Sequence, residues 1–222
     1  MNLLAIDTSA SLCAAAVFSS ERELGRSVID IGKGHAEHLM GVIDAALAAA
    51  NLAYADLNRI AVAIGPGSFT GIRVGVSAAR GLALALGVPA IGVSNLEAVA
   101  AEAREQFRKR AIMPAFLSAQ TSVQLAVYDP FAKLVYAPAT MSIEAAAELA
   151  VEHTAVICGS AGAAILQRDP TLFNGGAAVT ADIATYARLA MSKAPGERPK
   201  PLYLREPDAK PQAGFVLPRA LS

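Results

Sequence analysis

The chain opens with short apolar runs, LLAID (3–7), CAAAVF (13–18) and ELGRSVID (23–30), the first two joined by the turn TSASL. Runs of this length bounded by turn residues predict three strands, an antiparallel meander at the start of a mixed sheet. From Ala36 the period changes. Leu39, Ile43, Ala46, Leu47 and Ala50 recur at three and four residues, predicting a helix over 36–50 with one apolar face. A short buried strand follows at RIAVAIG (59–65), then a helix over 72–86 closed by Gly87 and Pro89. AIGVS (90–94) reads as another strand, and Asn95 as the N-cap of the next helix. Strands alternating with helices after residue 56 predict an α/β fold with parallel pairings.

The pattern then begins again. IMPAFLS (112–118), VQLAVYD (123–129) and KLVYAPAT (133–140) read as strands, EAAAELAVEH (144–153) as a helix, TAVICGS (154–160) as a strand and ADIATYARLAMSK (181–193) as a helix. The repeated order predicts two related lobes, residues 1–103 and 104–193, with the basic RKR (108–110) near the hinge between them. Residues 194–222, rich in proline, are expected to form an extended tail crossing a surface, or to be disordered unless a partner holds them.

Composition narrows the function. Lys+Arg and Asp+Glu are both 19, so the chain lacks the broad basic footprint of an autonomous nucleic-acid binder. RNA contact would need a charged partner. The two cysteines, Cys13 and Cys158, lie far apart in apolar stretches and read as buried thiols of a reducing compartment. No basic leader precedes the first strand, and charge or glycine interrupts every apolar run. The expectation is a soluble cytoplasmic protein with no membrane contact.

Three stretches carry candidate chemistry. In AIDTS (5–9), Asp7 ends a buried strand with Thr8 and Ser9 in the turn behind it; the three can face a phosphate or close an Asx/ST turn. GPGSFTG (65–71) supplies Gly65, Gly67, Ser68, Thr70 and Gly71, with Arg73 one turn on. It lacks the lysine of a Walker A loop, and its spacing is GxGxxxG where the dinucleotide fingerprint needs GxGxxG. Anion contact by helix-start amides stands beside a purely steric use of the glycines. His35 and His38 are three apart, whereas a zincin helix needs HExxH, so no metal site is predicted. Finally, Gly71, Gly75, Ala78, Ala79 and Leu82 form a small-residue stripe on which a helix could pack closely.

AIDTS, HAEHL and IAVAIGPGSFTGIRVGVSAARGLALALGVPAIGVSNLEAVA together resemble the TsaB (YeaZ) family of bacterial tRNA threonylcarbamoyladenosine (t6A) modification. The resemblance is dense over residues 3–100 and thin over 111–180. It implies an actin-like, Hsp70-like (ASKHA) fold of two related lobes, each a mixed sheet flanked by helices. Asp7, Thr8 and Ser9 then fall at the first phosphate-loop position of that superfamily. It also implies a non-catalytic scaffold with no required cofactor, leaving room for weak ATP or ADP binding. In such a family TsaD transfers the threonylcarbamoyl group to adenosine 37 of ANN-decoding tRNAs, and TsaE joins as a third protein. The implied partners are TsaD-like and TsaE-like proteins, with tRNA met only through the complex and a homodimer in isolation. By position the implied partner surface is His35, Leu39, Ile43 and Leu47 on one helix and Val74, Gly75, Ala78 and Leu82 on the next. A stand-alone ATPase or kinase of the same fold is the alternative, and a metallopeptidase the third reading. Where relatives carry a DARxGEVY-like strand this chain has Leu117, Ala119 and Ser122, which leaves the second lobe without the expected charges.

Overall fold

The computed structural model describes residues 1–204 of the chain. Strands β1 (Asn2–Asp7), β2 (Leu12–Ser19) and β3 (Arg22–Asp30) form the expected meander. Helix α1 (His35–Ala50), strand β4 (Arg59–Ala63), helix α2 (Phe69–Leu86), strand β5 (Ala90–Val93) and helix α3 (Asn95–Gln106) complete the first half. The second half contains β6 (Ile112–Ala119), β7 (Ser122–Tyr128), β8 (Leu134–Ser142), α4 (Ile143–Glu152), β9 (Val156–Cys158), α5 (Gly162–Leu166), β10 (Phe173–Asn174) and α6 (Ile183–Ser192).

The two five-stranded sheets have one topology. The first runs β3-β2-β1-β4-β5 and the second β8-β7-β6-β9-β10, each with an antiparallel meander and parallel additions. This duplication is the actin-like arrangement expected from the sequence. Period-two alternation decides which residues face which layer. Leu4 and Ile6 of β1 join Val17, Ile60 and Val62 under α1 and α2. Leu3 and Ala5 point the other way, into a core shared with Ile112, Phe116 and Tyr128 of the second sheet. Met113, Leu125 and Ile157 line the far side with α4 and α5. The molecule is therefore a stack of helices, sheet, helices, sheet, helices, with α3 and α6 as the central layer.

That central layer corrects the domain reading. A boundary at 103/104 cuts α3 internally, and α6, assigned by sequence order to the second lobe, packs on β1, β2, β4 and β5 of the first. Residues 108–110 form a turn between α3 and β6, where the Arg110 guanidinium lies 3.5 Å from the centre of the Phe173 ring. Two short elements, α5 and β10, escape the sequence patterns because neither is long enough to show a period.

Helix α2 begins three residues earlier than the periodicity indicates, because Ser68 caps it by accepting a hydrogen bond from the Gly71 amide. Its 18 residues are long and apolar enough, by length and composition, to cross a membrane. Gly71, Ile72, Gly75, Val76 and Ala79 are instead buried on the first sheet, with Arg73 and Arg80 exposed. The described part of the proline-rich tail, residues 194–204, runs from the first sheet to the second. The Leu202 amide donates to the Ile64 carbonyl (2.8 Å), and the Thr140 hydroxyl donates to the Leu204 carbonyl (2.7 Å). Residues 205–222 of that tail lie outside the described residues.

Candidate functional site

Asp7, Thr8 and Ser9 leave the end of β1 and run directly beneath the start of α2. Both contacts there are specific: the Thr8 hydroxyl donates to the Gly71 carbonyl (2.7 Å), and the Ser68 amide donates to the Ser9 carbonyl (2.7 Å). The glycines make this approach sterically feasible. A Cβ at Gly67 would strike the Ser9 carbonyl, one at Gly71 the Thr8 carbonyl, and one at Gly75 the Thr8 hydroxyl. Gly65, at φ +95°, turns the chain out of the sheet in a conformation that a side chain would strain. Its carbonyl accepts from the Asn95 amide (2.8 Å) and the Ser94 hydroxyl (3.2 Å). GPGSFTG thus locks β1, α2 and α3 into one corner.

Behind the corner lies a polar cluster in the central layer, buried except for the half-buried Thr180. Asp7, Ser9 and Asn95 are at most 3% exposed, and Tyr186 is completely buried. Asp7 Oδ1 accepts from the Ser9 amide (2.8 Å) and the Ser9 hydroxyl (2.6 Å). Asp7 Oδ2 lies 2.7 Å from the Thr180 hydroxyl, itself 2.6 Å from the Tyr186 hydroxyl. Tyr186 donates to Asn95 Oδ1 (3.0 Å), and Asn95 Nδ2 donates to Ser9 Oγ (2.7 Å) and to the Pro66 carbonyl (2.9 Å). Burial pushes the Asp7 carboxyl above the ordinary carboxylate range, opposed by its contacts with Ser9 and Thr180 and by the field of His35. The Tyr186 phenol is pushed up by the same burial.

The sequence-derived residues therefore divide. Asp7, Thr8, Ser9, Gly65, Gly67, Ser68 and Gly71 converge on the corner, whereas Thr70 and Arg73 are exposed on the other side of α2. There the Arg73 guanidinium sits 3.7 Å from the Phe69 ring centre and donates to the Tyr203 hydroxyl (2.8 Å). Asn95 is corrected: Ser94 caps α3 by accepting from the Leu96 amide, and Asn95 turns inward as a buried bridge. Thr180 and Tyr186 come from the far end of the chain, and no local motif marks them. The signal available was a tyrosine on the apolar face of an alanine-rich helix, where its hydroxyl must find a partner.

The expected partner surface also needs correction. Leu39, Ile43 and Leu47 are at most 3% exposed and face the first sheet, as does Gly75 on Thr8. His35 is buried with Nε2 3.2 Å from the Leu12 carbonyl. Val74, Ala78 and Leu82 are half-buried against the same core. The outward faces of α1 and α2 carry Met40, Gly41 and Ala45, and Ser77, Gly81 and Leu84. Gly41 and Gly81 are distinctive, because a Cβ at either meets nothing within 4 Å. Nothing in the packing of the described residues calls for glycine there, although each weakens its helix by about 1 kcal/mol relative to alanine.

In the second lobe Leu117 is exposed at the β6–β7 hairpin, its amide donating to the Ser160 hydroxyl (3.1 Å), and Ala119 pairs with Ser122. Among the described residues no three His, Cys, Asp or Glu side chains are grouped to hold a metal ion.

Comparison with known proteins places this geometry. The family described as TsaD, tRNA N6-adenosine threonylcarbamoyltransferase, matches residues 30–167. A Bacillus subtilis protein named tRNA threonylcarbamoyladenosine biosynthesis protein TsaB is 38% identical over 104 residues, 47% of this chain and 45% of its own length. A Buchnera aphidicola protein of the same name is 35% identical over 113 residues, 51% of this chain and 53% of its own. Each match spans about half the length of the curated relative. A Pseudomonas aeruginosa crystal structure, described as similar to peptidase YeaZ, superposes with a TM-score of 0.76 at 24% identity, covering 92% of this chain and 99% of that one. The resemblance and the fold read from the sequence are both borne out.

Proposed function

The chain belongs to the family described as TsaD, tRNA N6-adenosine threonylcarbamoyltransferase, and from that premise we propose that it is a non-catalytic subunit of the t6A-forming machinery. It docks a TsaD-like partner through the outer faces of α1 and α2. A TsaE-like protein joins the pair, and tRNA is met only in the assembly, in the cytoplasm. The relatives' names support a role in t6A biosynthesis.

The observation that carries the docking reading is the outward pair Gly41 and Gly81. Two adjacent helices carry exposed glycines that internal packing does not require, and a partner helix needs such positions for close approach. The buried corner supports the non-catalytic part. Asp7 and Ser9 are engaged by Thr180 and Asn95, and the glycine loop packs closely on the backbone of Thr8 and Ser9. No cofactor is required in this reading. In the absence of the partner, the same outer faces pair two copies of the chain.

The test is reconstitution of t6A formation from purified proteins with ATP, threonine, bicarbonate and tRNA. Omitting this chain is expected to abolish modification, and the chain alone to be inactive. Gly81→Arg is expected to leave the fold intact and eliminate co-elution with the TsaD-like partner. Full modification without this chain, or unchanged co-elution of the variant, would overturn the reading.

A further inference from the structure

The buried cluster contains more contacts than an ionised aspartate can satisfy. Five side chains close a ring: Asp7 to Ser9, Ser9 to Asn95, Asn95 to Tyr186, Tyr186 to Thr180, and Thr180 back to Asp7. The orientation of Asn95 is fixed, because Nδ2 also meets the Pro66 carbonyl, which can only accept. One Asn95 hydrogen therefore enters the ring, pointing to Ser9 Oγ, and Ser9 passes its own to Asp7 Oδ1. On the other side, Asn95 Oδ1 takes the single hydrogen of Tyr186. The Tyr186–Thr180 contact at 2.6 Å can then be made only by the Thr180 hydrogen, leaving none for Thr180 to Asp7 at 2.7 Å. Four hydrogens serve five contacts. The missing one has a single place to sit.

We propose that Asp7 is held in its neutral acid form, its Oδ2 hydroxyl donating to Thr180, so that the ring runs in one direction from Asp7 through Thr180, Tyr186, Asn95 and Ser9 back to Asp7. The proton is then a structural part of the joint between the end of β1, the start of α3 and the segment leading into α6. Loss of the proton removes one of the five bonds and places an unpaired charge against the Thr180 oxygen. The joint is thus a pH-sensitive clasp, loosened by alkali.

The surroundings favour this state. Asp7 is sealed from water, and the groups whose fields reach it or its ring come from each neighbouring element. The field of His35 on α1 opposes protonation; Cys13 on β2, Tyr186 on α6 and, through Tyr186, Glu102 on α3 are acids. The carboxyl's folded pKa lies above its unfolded value, so its contribution to stability is whole below about 3.9 and is lost as pH rises through the folded value.

Asp7→Asn tests the proposal, because an amide reproduces the neutral acid: Oδ1 accepts from Ser9 and Nδ2 donates to Thr180. The variant is expected to be at least as stable as the natural chain at neutral pH. Between the two pKa values the folding constant of the natural chain should fall about tenfold per pH unit relative to the variant. Infrared difference spectra at neutral pH should show a carboxylic-acid C=O stretch that D7N lacks. Labelling with ¹³C-aspartate identifies the same band within the natural protein, whether or not the variant folds. Absence of an acid band at neutral pH, or a D7N chain markedly less stable than the natural one, would overturn the proposal. Neither result depends on the t6A reading.

Discussion

Two glycines of one helix are expected to respond to the same substitution with opposite signs. At Gly71 a methyl group would be driven into the Thr8 carbonyl, which is fixed at the end of β1 and cannot rotate away as a side chain could. Overpacking of this kind costs about 1–3 kcal/mol, and a backbone obstacle belongs at the upper end. The Thr8–Gly71 hydrogen bond is strained in the process, at about 1 kcal/mol, while the better helix propensity of alanine returns a similar amount. Gly71→Ala should therefore destabilise by about 3 kcal/mol, lowering Tm by roughly 6–12 °C for a chain of this size. At Gly81 the same methyl group meets open space. Gly81→Ala should stabilise by up to about 1 kcal/mol, raising Tm by roughly 2–4 °C. Thermal unfolding followed by circular dichroism measures both. A Gly71→Ala protein as stable as the natural chain would refute the steric account of the loop. A clear loss at Gly81→Ala would refute the claim that its glycine is unneeded within the chain.

Other expectations rest on contacts across the central layer. Arg59 donates through one guanidinium nitrogen to the carbonyls of Ala190, Met191 and Lys193, closing the C-terminal end of α6. Arg59→Met should cost about 3 kcal/mol in chemical denaturation, and an unchanged midpoint would refute the capping role. Arg26 pairs with Asp182 through both nitrogens (2.7 and 2.9 Å) and holds its carboxyl below the ordinary range. A depressed folded pKa contributes stability above the unfolded value and loses it as pH falls through the folded one, so Arg26→Gln should flatten the decline below about pH 4. The pair is a third to a half exposed, so this effect should stay within about 1 kcal/mol. Burial pushes the Cys13 thiol up to about 11 and Cys158 up to about 12. A thiol reagent at neutral pH should label neither in the folded chain and both after denaturation; rapid labelling of the folded protein would contradict their burial.

Much of the first sheet was legible because its signals are local. Strands β1, β2 and β4 stand out as short continuous apolar runs, and the glycines of 65–71 mark the corner beside them. Layering was not legible, because Leu3 and Leu4 differ in nothing but which face of β1 they occupy. The residues that cover each face come from opposite ends of the chain. The same limit produced the error at Asn95: its N-cap signature was sound, but Ser94 next to it is equally able to cap, and the long-range pull of Ser9 and Tyr186 decided between them. Leu39, Ile43 and Leu47 were read as both inner face and docking surface. A helix with one apolar stripe cannot supply both, and the sheet takes it.

The placement of α6 also governs how the chain is made. During synthesis the first sheet is complete once β5 has emerged, yet the cover over the face bearing Leu3, Ala5, Ala16 and Ala61 is completed only when α6 arrives. At about 5–20 residues per second the ribosome needs roughly 5–20 s to produce the intervening hundred or so residues. For that interval the nascent chain presents an apolar surface that the segments already made cover only in part.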